Sequence, residues 1–324
     1  MDSNQIIICE ICGKQNNMFL EIKNITIGYQ KPLISEVNAS LDFGDVCLLI
    51  GNNGVGKTTL IKSILNQIST LKGEIFINKK SNKKLTDKEI AEQIAVVFSK
   101  AQIPANYTTE DLISLGKFIH LPYYYQLEKE DLEDVNDIIS QLKLEEFRTA
   151  SLQKLSDGNL QKAFIGRALA QNSPVIILDE PTTHLDEENK IIILKLLRDL
   201  AKNHNKIILF SSHDWRLAKE FADKIWFIND KKLQEGLAED ILLQNDLLTN
   251  PRLFTINENF VSPVIDAPFL EKEMLYSALQ KNFKKDLSGI KINFRDTFWE
   301  INYQNNSNQC QSIEDLLNSI RNYL

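Results

Sequence analysis

The sequence predicts an α/β protein with a mixed sheet core, and three observations carry that prediction. One is the stretch Gly51-Asn52-Asn53-Gly54-Val55-Gly56-Lys57-Thr58-Thr59, which lies between the apolar run Val46-Cys47-Leu48-Leu49-Ile50 and the breaker-free, helical segment at 60–65. Another is a set of short apolar runs at 94–98, 175–178 and 206–210, each of the length of a buried strand. The third is the helical patterning between those runs, over 108–145, from Ser156 to about 171, and over 187–203.

Strand, glycine-rich loop, Lys-Thr and helix together match a phosphate-binding loop. Glycines let backbone N–H groups turn inward around a polyphosphate, and the helix N-terminus adds partial positive charge. In that reading residues 51–59 cradle the phosphates, Lys57 reaches the β- and γ-phosphates, and the Thr58 hydroxyl holds Mg²⁺. The implied ligand is a nucleoside triphosphate.

At 324 residues the chain has room for one large domain and a small one. Its hydrophobic content of 43% and charged content of 25% suit a water-soluble globular protein. The net charge of -7 argues against a nucleic-acid-binding face. Four cysteines in a chain of this length do not make a disulfide framework. No apolar run approaches the roughly 18 residues of a membrane span, and no signal peptide is evident, so a cytosolic protein is expected.

Residues 1–17 read as a disordered, dispensable extension. They hold a lone Cys9-Glu10-Ile11-Cys12 pair, short of the four ligands a zinc site needs. From Phe19 to Leu49 apolar and polar residues alternate between turns, as in an antiparallel strand group. Within it Tyr29 reads either as a packed strand residue or as a functional aromatic. A strand at 73–78 is followed by a lysine-rich turn at 79–84, expected to be solvated. Glu128-Lys129-Glu130-Asp131 opens an amphipathic helix. Ser156 suits an N-cap. The run Val175-Ile176-Ile177-Leu178 ends in adjacent carboxylates: Asp179 suits Mg²⁺ binding through water, and Glu180 suits polarising an attacking water. His213 follows another strand, at the edge where α/β proteins put their ligands. A hairpin around Asn229-Asp230 closes the large domain.

After Pro251 the character changes. Residues 262–268 read as a linker, 270–285 as a helix, 290–294 and 298–301 as a hairpin, and 313–324 as a final helix. Such an α-β-β-α extension is small for an independent core, so packing on the main domain or on a second copy is expected. It shows no catalytic constellation and reads as a structural or regulatory appendage.

In order, Tyr29, the loop at 51–59, residues 155–161, 177–180 and 183–186, and His213 resemble the nucleotide-binding subunit of ATP-binding cassette transporters. The resemblance covers about 19–254. Residues 115–120, the helix at 130–142 and Glu180-Pro181-Thr182-Thr183-His184-Leu185-Asp186 look like the branch that imports iron–siderophores, haem and cobalamin. The domains expected are thus an extension at 1–17, an ATPase domain at 18–254 with an antiparallel β subdomain and a helical subdomain, and a small α+β unit at 255–324.

What the resemblance implies is specific. Tyr29 stacks on adenine, Asp179 supports the metal, Glu180 is the general base and His213 contacts the γ-phosphate. Asp186 communicates across a homodimer, in which Ser156 and Gly158 of one subunit cap the ATP held by the other. The other partners are an integral membrane permease and, indirectly, a substrate-binding protein, with no nucleic acid. The location is the inner face of the cell membrane. Phe118, Tyr123, Tyr124 and Tyr125 are either exposed anchors for the permease or core residues. Two departures stand out: Asp157 and Asn159 replace a glycine and a glutamine, and Ser99 replaces a metal-contacting glutamine, with Gln102 the nearest glutamine. The competing reading is a soluble cassette ATPase of DNA repair or translation. A single cassette lacking coiled-coil or zinc insertions speaks against it.

Overall fold

The computed structural model describes residues 18–99, 106–121, 126–212, 215–245, 260–295, 297–303 and 306–323. The extension with Cys9 and Cys12, and also Gln102, Tyr123, Tyr124, Tyr125 and His213, lie outside the described residues. The chain forms two compact units, one ending at Ile241 and the next starting at Leu242. The predicted boundary near 254 also falls outside the described residues.

The first unit begins with β1 (Leu20–Gly28) and β2 (Pro32–Leu41), an antiparallel pair, and then β3 (Val46–Gly51), which leads through the loop into α1 (Lys57–Ile64). Next come β4 (Lys72–Ile77), β5 (Lys80–Ser81), α2 (Asp87–Gln93) and β6 (Ile94–Val97). The helical stretch follows with α3 (Thr109–Ser114), α4 (Lys129–Gln141) and α5 (Asp157–Ala170). Then β7 (Val175–Leu178), α6 (Glu187–Lys202), β8 (Ile207–Ser211), α7 (Trp215–Ala218), β9 (Lys224–Asn229) and β10 (Lys232–Leu237) complete it, and α8 (Ala238–Gln244) runs past the division.

Two sheets result. The antiparallel one has the order β2-β1-β4-β5, and the larger has the order β10-β9-β3-β8-β7-β6. All pairs in the larger sheet are parallel except the β9–β10 hairpin. Strands β7 and β8 are buried along their whole length. This explains their unbroken apolar runs, because a parallel strand covered on both faces has no polar side to show. One hydrophobic cluster joins the two sheets through α1, with Ile25, Leu49, Leu60, Ile64 and Ile177 among its members. The parallel strands therefore present their C-terminal ends, Gly51, Leu178 and Ser211, along one edge.

The hairpin turn at Asp230 and Lys231 has positive φ at both residues, 46° and 62°, as a two-residue turn matching strand twist requires. The lysine-rich stretch at 79–84 is only partly solvated. Lys80, Lys83 and Lys84 are exposed, but Ser81 and Asn82 are buried. The Asn82 amide donates to Ser63 O at 2.9 Å and Ile64 O at 3.1 Å. It thereby gives Ser63 O a second donor beside Asn66 N–H, and bonds Ile64 O, in the last turn of α1, where carbonyls lack a full set of helical partners. Sequence reading had no signal for that contact because it depends on tertiary approach.

The second unit consists of β11 (Val264–Asp266), α9 (Phe269–Asn282), β12 (Ile290–Arg295), β13 (Phe298–Tyr303), β14 (Asn306–Cys310) and α10 (Ile313–Tyr323). Its sheet runs β11-β12-β13-β14. The predicted linker at 262–268 therefore contains a strand. Its three residues pair in parallel with β12, and Ile265 points into the core while Val264 and Asp266 face out. The unit has its own hydrophobic core, including Leu275, Leu279, Ile292, Trp299 and Leu316.

Candidate active site

The site begins where β3 ends. A Cβ on Gly51 would sit 2.8 Å from Ile228 O on the neighbouring strand, so no larger residue fits there. Gly56, the residue before α1, has φ of 116°, a conformation that side-chain-bearing residues rarely adopt. The loop can then close over its own lysine. Lys57 Nζ donates to Gly51 O at 2.7 Å and to Asn52 O at 3.3 Å. Burial pushes the Lys57 amine below its ordinary pKa, while Glu180 and then Asp179 pull it back up. A buried ammonium on backbone carbonyls and near two acids is poised to exchange those partners for phosphate oxygens.

Parallel pairing sets the acids beside the loop. Leu178 pairs with Phe210, and Leu49 with Ser211, so Asp179 emerges one strand away from Ser211 and two from the loop. Asp179 is only 4% exposed. Its Oδ2 accepts from the Thr58 hydroxyl at 2.9 Å and its Oδ1 from the Ser211 hydroxyl at 2.7 Å. Glu180 follows with a left-handed backbone, φ 59°, and its N–H donates to Ser211 Oγ at 2.9 Å. Thr183 Oγ1 donates to Glu180 Oε2 at 3.3 Å.

Lys57, Thr58, Asp179 and Glu180 share one cleft of about 850 Å³ with Asn53, Gly54, Gly56 and Thr59 of the loop. Ser99 lines it too, next to Phe98. Sequence reasoning missed Lys62 and Gln67, which also line the cleft, and Ser211, which bonds both acidic residues. A signal for Ser211 did exist: it ends the apolar run neighbouring the one that ends in Asp179.

Thr58 and Asp179 offer a hydroxyl and a buried carboxylate, an all-oxygen donor pair of the kind a hard divalent cation takes. Among the described residues no cluster of three or more His, Cys, Asp or Glu stands ready to hold a metal ion. The pair thus fits a cation that completes its shell with substrate phosphates and water.

Six expected contacts sit outside the cleft lining: Gly51, Asn52 and Val55 of the loop itself, and the more distant Tyr29, Ser156 and Gly158. Tyr29 is 67% exposed just beyond β1, so the packed-residue alternative does not hold. Phe118, at 50% exposure, is likewise not a core residue. Ser156 caps α5, accepting from Asn159 N–H at 3.3 Å. Asp157 is exposed in the first turn of α5, where the helix dipole favours a carboxylate. Gly158 is buried against Asn189 of α6, and Asp186 caps α6 by accepting from Asn189 N–H at 2.8 Å.

A glycine loop, a buried lysine and two strand-end acids around one cleft define a nucleotide-binding α/β domain. Comparison with known proteins identifies the family. A family model described as ABC transporter matches residues 34–183. The petrobactin import ATP-binding protein of Bacillus anthracis is 32% identical over 225 residues, 69% of this chain and 82% of that protein. The iron(3+)-hydroxamate import ATP-binding protein of Bacillus subtilis is 30% identical over 245 residues, 72% of this chain and 91% of that protein. Among solved structures, a dimeric bacterial ABC transporter cassette matches with a TM-score of 0.60 and 25% identity, over 68% of this chain and 98% of that one. The chain belongs to the ATP-binding proteins of the ABC transporter family, which are ATPases.

Proposed function

We propose that this chain hydrolyses ATP to drive import of an iron–siderophore, haem or cobalamin-type substrate through a separate integral membrane permease. The observation that carries the reading is the single cleft in which Lys57, Thr58, Asp179 and Glu180 meet. The petrobactin and iron(3+)-hydroxamate importers among the relatives support the substrate class. The dimeric cassette supports a homodimer with two composite sites. Among the described residues no helix is long and apolar enough to cross a membrane. In this reading the protein works at the cytoplasmic face of the membrane, docked on the permease, and a substrate-binding protein acts on the far side. Nucleic acid has no part in it.

The loop amides and Lys57 take the β- and γ-phosphates, the lysine exchanging its bonds to Gly51 O and Asn52 O for phosphate oxygens. Thr58 and Asp179 hold Mg²⁺, which when bound offsets phosphate charge. Glu180 orients water and accepts its proton, and His213 contacts the γ-phosphate. The exposed Tyr29 ring stacks on adenine, and Ser99 takes the place of the metal-contacting glutamine. Ser156 and Gly158 serve the ATP of the opposite subunit. Their position outside this cleft, at the start of α5, supports that role.

The test is Glu180→Gln in the full chain. Loss of a general base lowers turnover by about 10²–10⁴-fold, and an ATP-bound dimer accumulates, seen by light scattering. Wild-type turnover in this variant would remove Glu180 from the role of base.

A further inference from the structure

We propose that Ser211 is a positioning residue for hydrolysis, setting both acids of the site through one hydroxyl group. The inference rests on the ATPase reading above and deepens it. Ser211 is fully buried at the end of β8, which lies between the strand that delivers the loop and the strand that delivers the acids. Its hydroxyl has a single proton, donated to Asp179 Oδ1 at 2.7 Å, and it accepts the Glu180 N–H at 2.9 Å. Its one donor bond thus goes to Asp179 and one acceptor site to Glu180, a bond to each acidic residue.

These bonds do different things. The bond to Oδ1 fixes the rotation of the Asp179 carboxylate, leaving Oδ2 turned to Thr58 Oγ1 at 2.9 Å. Thr58 and Asp179 are the pair assigned to the cation, so Ser211 sets the donor geometry without being a donor to it. The bond from Glu180 N–H secures a backbone that has two reasons to relax. A left-handed φ of 59° is unfavourable for a residue with a Cβ, and the following Pro181 favours an extended conformation instead. With the N–H held, the Glu180 side chain leaves the backbone in the direction that lines the cleft. Asp179 N–H is tied to Val97 O at 2.8 Å on the opposite neighbour, so the acidic turn is anchored on both sides. Only the Ser211 side can be altered by changing a side chain.

The test compares the full-length wild type with Ser211→Ala and Ser211→Thr. It measures steady-state ATP hydrolysis, and binding of a fluorescent ADP analogue with and without Mg²⁺. In Ser211→Ala we expect kcat to fall tenfold or more, and the Mg²⁺ concentration for half-maximal analogue binding to rise several-fold. Metal-free analogue affinity should stay within twofold, because Lys57 and the loop keep their bonds. Ser211→Thr, which retains the hydroxyl, should recover most of both losses. The proposal is overturned if Ser211→Ala keeps kcat and Mg²⁺ midpoint within twofold of wild type, or if the alanine and threonine variants are equally impaired. Should Ser211→Ala fail to fold, Ser211→Cys, which keeps the volume and weakens both bonds, takes its place with the same criteria. A wild type that binds the analogue but hydrolyses no ATP would overturn the hydrolysis reading, while the Mg²⁺ midpoint would still decide the role of Ser211.

Discussion

Gly158→Ala sets two physical effects of opposite sign against each other. Gly158 lies in the first turn of α5, where replacing glycine with alanine ordinarily stabilises by about 0.5–1 kcal/mol through helix propensity and unfolded-chain entropy. A Cβ here, however, would lie 2.8 Å from Asn189 Oδ1 and 2.9 Å from Asn189 Cγ. Asn189 must retreat, and its amide also donates to Asp186 Oδ2 at 3.1 Å, so moving it strains the start of α6. Overpacking of this kind costs about 1–3 kcal/mol, and a hydrogen bond adds about 0.5–1.5 kcal/mol. The clash should win, for a net loss of about 1–2 kcal/mol, or roughly 2–8 °C in Tm for a unit of this size. The assay is urea unfolding of the full chain carrying Gly158→Ala, Asn189→Ala or both. On the Asn189→Ala background the clash is gone, so Gly158→Ala should be neutral or stabilising, a coupling of about 2 kcal/mol between the two sites. If Gly158→Ala is stabilising alone, or if the double variant shows no coupling, the packing of α5 on α6 does not constrain this glycine as argued.

Other perturbations have equally definite outcomes. Asn82→Ala removes two buried bonds to the end of α1 and should cost about 2 kcal/mol in urea unfolding. Gly116→Ala would place a Cβ 2.2 Å from Arg167 O, a backbone atom that cannot step aside, and should lower stability by about 3 kcal/mol or more by thermal unfolding. Asp223 accepts from Val46 N–H, Arg198 and Lys202. Burial pushes its carboxyl up, but the Lys202 bond, the Val46 N–H and Arg198 together outweigh burial and hold it below its ordinary range. A depressed folded pKa gives stability that is present above the unfolded value, about 3.9, and lost as pH falls through the folded one. Asp223→Asn should therefore be less stable at pH 7 yet lose less stability on acidification, measured as urea midpoints from pH 7 to pH 3.

Much of the site was legible because its parts are local. The loop at 51–59 follows a wholly apolar run, and Asp179 and Glu180 end another, so chemistry and strand boundary coincide in the chain. The missed parts depend on approach in three dimensions. Ser211 gains its role only when β8 settles between β3 and β7. Asn82 looked like part of a charged turn because the carbonyls it caps are some twenty positions earlier in the chain. Strand β14, Asn-Ser-Asn-Gln-Cys, shows no apolar alternation because it is a sheet edge with only Cys310 buried among its described side chains. Edge strands tolerate such polar residues, which discourage pairing with other chains.

The two separate cores have a consequence for spectroscopy. The hydrophobic clusters of the first and second units share no residue. Trp226 is wholly buried in one and Trp299 is 4% exposed in the other. Each indole therefore reports on a different cooperative block, and a single melting temperature does not describe this molecule. With Trp299→Phe the emission change on unfolding comes from Trp215 and Trp226 of the ATPase unit, and with both of those replaced by Phe it follows the small unit instead. The fluorescence of one chain thus holds two stability curves, and replacing the indoles of one unit at a time separates them.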